Sequence, residues 1–178
     1  MTAVAGFTKN GIVYMAADSL ASSESHTSVV VGSKLIKRDE FLFGYTTSFR
    51  FGDILRYIFV PPTRESQCSV TEYMVKYFIP ALRTCLEEQK YTDNTPKSES
   101  GNFLVGYQGH LFEVQSDYSV IESADSYASV GSGFQYCLGA MNALTSRMLD
   151  PTDIVIAAVK AAIAHNPYVG GSIDTQSL

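Results

Sequence analysis

The stretch Thr2–Ser19, TAVAGFTKNGIVYMAADS, decides how the chain folds. Thr2 to Thr8 alternates apolar residues with polar or small ones, the pattern of a half-buried strand. Asn10-Gly11 supplies the two positive-φ residues of a type I′ turn, and Ile12 to Ala17 is a dense apolar run. The reading is an N-terminal β-hairpin whose second strand is deeply buried and ends at Asp18. It also puts a threonine at the very edge of a strand, directly behind Met1. Removal of Met1 would leave Thr2 with a hydroxyl and a free amine on adjacent carbons, a nucleophile with its own base. While Met1 is attached, the Thr2 nitrogen is an amide without useful basicity.

Beyond the hairpin, a Ser-rich loop is expected from Ser19 to Thr27, then short antiparallel strands at Val29 to Val31, Lys34 to Lys37 and Phe41 to Thr46. At Phe51, Ile54, Leu55, Ile58 and Phe59 the apolar period becomes helical, and Pro61-Pro62 ends the element. Ser69-Val70-Thr71-Glu72 has the form of a capping box and opens a second helix running to Leu86, with Pro80 as its kink or weak point. Tyr91 to Ser100 is the most loop-like segment. Phe103 to Tyr107, the turn Gln108-Gly109, and Leu111 to Gln115 make another hairpin, and a further strand is expected at Tyr118 to Ile121. Ala128 to Gly133 leads from strand into a third helix through Phe134, Cys137, Leu138, Met141 and Leu144. Asp150-Pro151 is an N-cap with Pro at the first helical position, and it opens a fourth helix over Ile154 to Ala164. Strands, two helices, strands, two helices: the order argues for an α+β fold with antiparallel sheets covered by helix pairs.

At 178 residues the chain is of a size for one domain over 1–178, and 46% hydrophobic residues are enough for a core. A net charge of -5 with no Lys/Arg cluster argues against nucleic acid or an anionic membrane as partner. No stretch approaches the roughly 20 apolar residues of a membrane span, and the first residues lack a signal-peptide pattern, so a cytoplasmic protein is expected. Cys68, Cys85 and Cys137 have neither disulfide nor zinc spacing and read as reduced, buried thiols. His26, His110 and His165 lie far apart, and no metal or cofactor is expected.

An N-terminal nucleophile needs its amine neutral, a nearby positive charge to keep it so, and donors for the oxyanion. Lys34 is the candidate charge, lowering the amine pKa by like-charge repulsion, and Asp18 is the candidate partner that fixes the lysine. Each residue also has an ordinary reading. Asp18 could start a turn, Lys34 could face solvent, and Ser132 could be the N-cap of the following helix.

Taken together, TAVAGFTKNGIVYMAADS (2–19), KLIKRDEFLFGY (34–45) and YASVGSGFQYCLGAM (127–141) resemble the proteasome β-subunit and HslV family of N-terminal nucleophile (Ntn) hydrolases. Thr2, Gly11, Asp18 and Lys34 fit the family spacing without a gap, and the resemblance runs from Thr2 to about Gly171. It implies a four-layer αββα sandwich and threonine endopeptidase activity on unfolded polypeptides. It also implies homo-oligomeric stacked rings, which an ATPase unfoldase could serve. By the same resemblance Thr2, Asp18, Lys34 and Ser132 are catalytic, with Ser129 and Asn166 supporting and Ala21 and Thr46 in the substrate pocket.

The chain departs from the family in two places. The glycine-rich turn that supplies the oxyanion donor reads Thr46-Thr47-Ser48, with Ser48 as the candidate donor, and Asp-x-Tyr-Ser-Gly-Gly reads Asn166-Pro167-Tyr168-Val169-Gly170-Gly171. Two other readings therefore stand beside the peptidase: a non-catalytic ring-forming relative, and an Ntn amidohydrolase acting on a small amide.

Overall fold

Asn10 and Gly11 adopt φ of 54° and 75°, so the turn forms as expected and joins β1 (Val4–Lys9) to β2 (Ile12–Asp18). The computed structural model describes residues 1–22, 26–91 and 101–178. The hairpin sits in the middle of a four-stranded sheet of order β10-β1-β2-β11, where β10 is Tyr127–Val130 and β11 is Ile173–Ser177. A second, five-stranded sheet runs β5-β6-β7-β8-β9, from Leu35–Arg38 and Phe41–Tyr45 through Phe103–Tyr107 and His110–Val114 to Val120–Glu122. All pairings are antiparallel.

The period-two alternation of the strands builds the layers. On the first sheet Ala3, Ala5, Phe7 and Ala16 face Cys137, Met141 and Ile154 to Ala162, which belong to α4 (Phe134–Thr145) and α5 (Pro151–His165). On the second, Phe41, Phe43, Phe103 and Phe112 face α1 (Phe49–Tyr57) and the helical stretch from Val70 to Glu88. Between the sheets lie Val4, Val13, Met15, Leu35, Leu42, Leu104, Leu111 and Val130. The result is the expected αββα sandwich. Gly44 lets the sheets approach: a Cβ there would lie 2.5 Å from Val4 Cγ1.

Ser69 caps the second helical stretch by accepting from Glu72 N–H, and the stretch passes from α2 (Val70–Tyr73) through a π-helical turn (Met74–Phe78) into α3 (Ile79–Glu88). Pro80 has no N–H to give, and the widened turn, in which Ile79 N–H reaches Met74 O, answers it.

The structure corrects several expectations. Within the expected loop from Ser19, Leu20–Ser22 forms β3, paired with β4 (Thr27–Val29). The strand expected at Tyr118 starts at Val120, because Tyr118 takes φ of 69° in a turn. The C-terminal β11 was not foreseen. Of the three free thiols only Cys137 is buried. Most of the expected loop up to Ser100 lies outside the described residues. Among those residues, no helix is long and apolar enough to cross a membrane, and no His/Cys/Asp/Glu group could hold a metal.

Candidate active site

Because β1 and β2 are antiparallel neighbours, Ala3 meets Asp18, and Asp18 N–H donates to Ala3 O at 3.3 Å. The Asp18 carboxylate is fully buried and accepts four donors. Oδ1 takes Ala3 N–H at 3.0 Å and Lys34 Nζ at 2.8 Å, and Oδ2 takes Leu20 N–H at 3.3 Å and Gly170 N–H at 3.1 Å. Lys34, 2% exposed, also donates to Leu20 O at 2.8 Å. Burial draws the Lys34 pKa below its ordinary value, and the charge of Asp18 opposes that fall.

Sharing Oδ1 with Ala3 N–H places the Lys34 ammonium one residue from Thr2. The amine that starts the chain, on Met1, feels it: its pKa is lowered by burial first and by the charge of Lys34 second, with Asp18 opposing.

Thr2 is 5% exposed. Its N–H donates to Ser132 Oγ at 3.3 Å, its hydroxyl donates to Met1 O at 2.6 Å, and its carbonyl accepts from Gly133 N–H at 3.1 Å. Ser132 does not cap α4; Gly133 occupies the N-cap position. Asn166 Nδ2 holds Ser132 by donating to its carbonyl at 2.8 Å. Thr2, Asp18, Lys34, Ser132 and Asn166 thus form one connected cluster.

Ser129 stands apart from it. Its hydroxyl donates to Val4 O at 2.7 Å, on the sheet face that meets Cys137 in the helix layer. Val169, where the family has a hydroxyl, is buried in the apolar cluster under α4 and α5.

A cavity of about 60 Å³ opens beside Thr2, lined by Met1, Ala21, Lys34, Tyr45, Thr46 and Phe49 among others. Loss of Met1 would free the Thr2 nitrogen and widen this space together. Thr46 is held by its own hydroxyl, which donates to Asn102 O at 2.6 Å. The turn that follows holds Ser48, the residue expected to donate to the oxyanion. Thr47 takes φ of 72°, and Ser48 N–H donates to Thr46 O at 2.8 Å, which closes a γ-turn around Thr47. Ser48 Oγ caps α1 by accepting from Phe51 N–H. The Ser48 N–H is therefore occupied, whereas the N–H of Thr47, a residue that also lines the cavity, has no partner among the described residues.

Sequence reasoning missed Gly131 and Gly170, which touch Thr2 and Asp18. The Gly170-Gly171 pair was the signal for the last, and Gly131 was visible only as part of a strand-to-helix turn. Gly131 has φ of 93°, and a Cβ there would lie 2.3 Å from Thr2 O. Gly131→Ala is expected to push Thr2 out of place and to lower stability by about 1–3 kcal/mol. A thermal melt checks it.

The architecture is the αββα sandwich of the Ntn hydrolase fold. Among solved structures, Thiobacillus denitrificans BPH is 24% identical with a TM-score of 0.84, the match covering 99% of this chain and 97% of that one. The same protein in complex with epoxomicin matches equally well, with a TM-score of 0.84 at 24% identity over 99% and 98% of the chains. Eukaryotic HslV from Trypanosoma brucei is 19% identical with a TM-score of 0.71, over 99% of both chains. At these identities the likeness establishes the fold. Comparison with protein-family models and with curated protein sequences gives no match.

Proposed function

We propose that this chain, once Met1 is removed, is a threonine endopeptidase of the proteasome β/HslV type. The observation that carries the reading is the buried Lys34–Asp18 pair at 2.8 Å, tied through Ala3 to the residue that would become the N-terminus. The Thr2 amine takes the hydroxyl proton as Oγ1 attacks a peptide carbonyl carbon. The amine then gives that proton to the leaving nitrogen as the C–N bond breaks. Water, deprotonated by the same amine, hydrolyses the ester left on Thr2. The oxyanion donor in this reading comes from the Thr47-Ser48 turn: Ser48 N–H once the γ-turn opens, or Thr47 N–H, which has no partner among the described residues.

Ser132 accepts from the Thr2 nitrogen, and Asn166 holds Ser132 in place. Polypeptide substrates and a homo-oligomeric ring belong to the same reading. Exposed Val31, Tyr57, Val60 and Met148 offer apolar surface for subunit contacts, and native mass spectrometry counts the subunits.

The test is to weigh the purified native protein and treat it with a peptide epoxyketone. Loss of Met1 with an adduct on Thr2 supports the reading, and intact Met1 without labelling rejects it. The pH dependence has a definite sign. A protonated amine cannot accept the hydroxyl proton, so turnover rises as pH rises through the pKa of the Thr2 amine. Burial and Lys34 both push the Met1 amine down, and the Thr2 amine, next in the chain to the Ala3 N–H that shares Asp18 with Lys34, is expected to feel the same push, so the midpoint should fall below about 8.0. A kcat/KM profile between pH 5 and 9 checks it.

A further inference from the structure

Strand β8 carries an acidic side chain on a face otherwise given to apolar residues. Phe112 and Val114 pack toward the helices and Leu111 packs between the sheets, so alternation turns Glu113 toward the inter-sheet side. Glu113 is half-buried, and burial raises its pKa. No cation pairs with it among the described residues. Gln115 hydrogen-bonds the carboxylate, but no described residue supplies a compensating charge, which a cationic ligand could bring.

Glu113 borders two cavities. One, of about 590 Å³, is lined by Thr46, Thr47, Glu113, Gly131, Phe134 and Leu138 among others. The second, of about 510 Å³, continues from Glu113 and Leu138 to Asp125 and Tyr127. Among the described residues neither is lined by a Lys, Arg or His. The larger cavity adjoins the site: Thr46 and Thr47 also border the small space at Thr2, and Gly131 lies against the Thr2 carbonyl.

The route of the proton fixes which part of a substrate lies here. The proton passes through the Thr2 nitrogen to the leaving amine, so the leaving segment departs on the side of that nitrogen. The Thr2 nitrogen donates to Ser132, the chain neighbour of Gly131, which lines the larger cavity but not the small space at Ala21 and Tyr45.

We propose that the larger cavity receives the leaving-side segment of a polypeptide and that Glu113 selects a lysine or arginine side chain there. Val130, Phe134 and Leu138 would cover its methylene stem. The proposal rests on the peptidase reading of Thr2.

The test uses the Met1-free protein and peptides in which each leaving-side position in turn is lysine, norleucine or glutamate, with products identified by mass spectrometry. At one position lysine should give a kcat/KM about tenfold above norleucine. Glu113→Gln should bring that ratio toward one, and Glu113→Lys should invert the order in favour of glutamate. An inverted preference cannot come from misfolding. A ratio that is the same in all three proteins, or no lysine preference in the unmodified protein, overturns the subsite. Epoxyketone labelling of Thr2 would then still stand for the peptidase reading, whereas absence of labelling removes both.

Discussion

Replacing Thr2 by alanine in the Met1-free protein is expected to abolish peptide hydrolysis, a loss on the order of 10⁴-fold or more. The alanine chain keeps an amine in the same place but has no oxygen to attack with, so neither the ester nor the epoxyketone adduct can form. Thr2 lies 5% exposed in a cleft whose other members serve its nitrogen and carbonyl, and the hydroxyl has no substitute there. Thr2→Ser keeps hydroxyl and amine and should retain measurable turnover. Fluorogenic peptide cleavage and intact-mass labelling read both variants. If Thr2→Ala cleaves as fast as the unmodified protein, a structural role for the residue takes the place of a catalytic one.

Lys34→Met should cost about 3–5 kcal/mol of stability, because it leaves the Asp18 carboxylate buried without its ion-pair partner. For a chain of this size that is a fall in Tm on the order of 10 °C. Three backbone N–H groups still reach Asp18 in the variant, from Ala3, Leu20 and Gly170, and they keep its position while the charge goes uncompensated. Activity should fail in a specific manner. Assayed well below its Tm, the variant should show the pH midpoint of turnover moved upward, because the ammonium that repels the proton is gone. A Tm within about 2 °C of the unmodified protein would mean that the pair anchors nothing. An unmoved midpoint would take Lys34 out of the chemistry.

Much of the sandwich was legible because its central strands are buried on both faces or alternate cleanly. The run from Ile12 to Ala17 with Asn10-Gly11 before it, and the matching pair around Gln108-Gly109, leave little freedom in register; Gln108 and Gly109 take φ of 48° and 82°. What escaped lies at edges. Ile173–Ser177, IDTQS, closes the first sheet as an edge strand with mostly exposed side chains, so it carries no alternation to read. Leu20–Ser22 is three residues long, too short for a period. In the site, side chains named by sequence met where tertiary pairing brings strand ends together, as Ala3 meets Asp18. Backbone conformation was hidden: a threonine at φ of 72° cannot be told by its identity from one in a strand, and the γ-turn that engages Ser48 N–H could not be read beforehand. Ser129 was one residue from Val130 and three from Ser132, and only the pleat shows that it faces the helices.

Attack by Thr2 requires its amine to be neutral, and the titration of that amine can be followed directly by ¹⁵N NMR in Met1-free protein labelled at threonine. The prediction is a pKa below the ordinary 8.0 that rises when Lys34 is replaced by methionine. A value at or above 8.0 in the unmodified protein, or one indifferent to Lys34→Met, would contradict it.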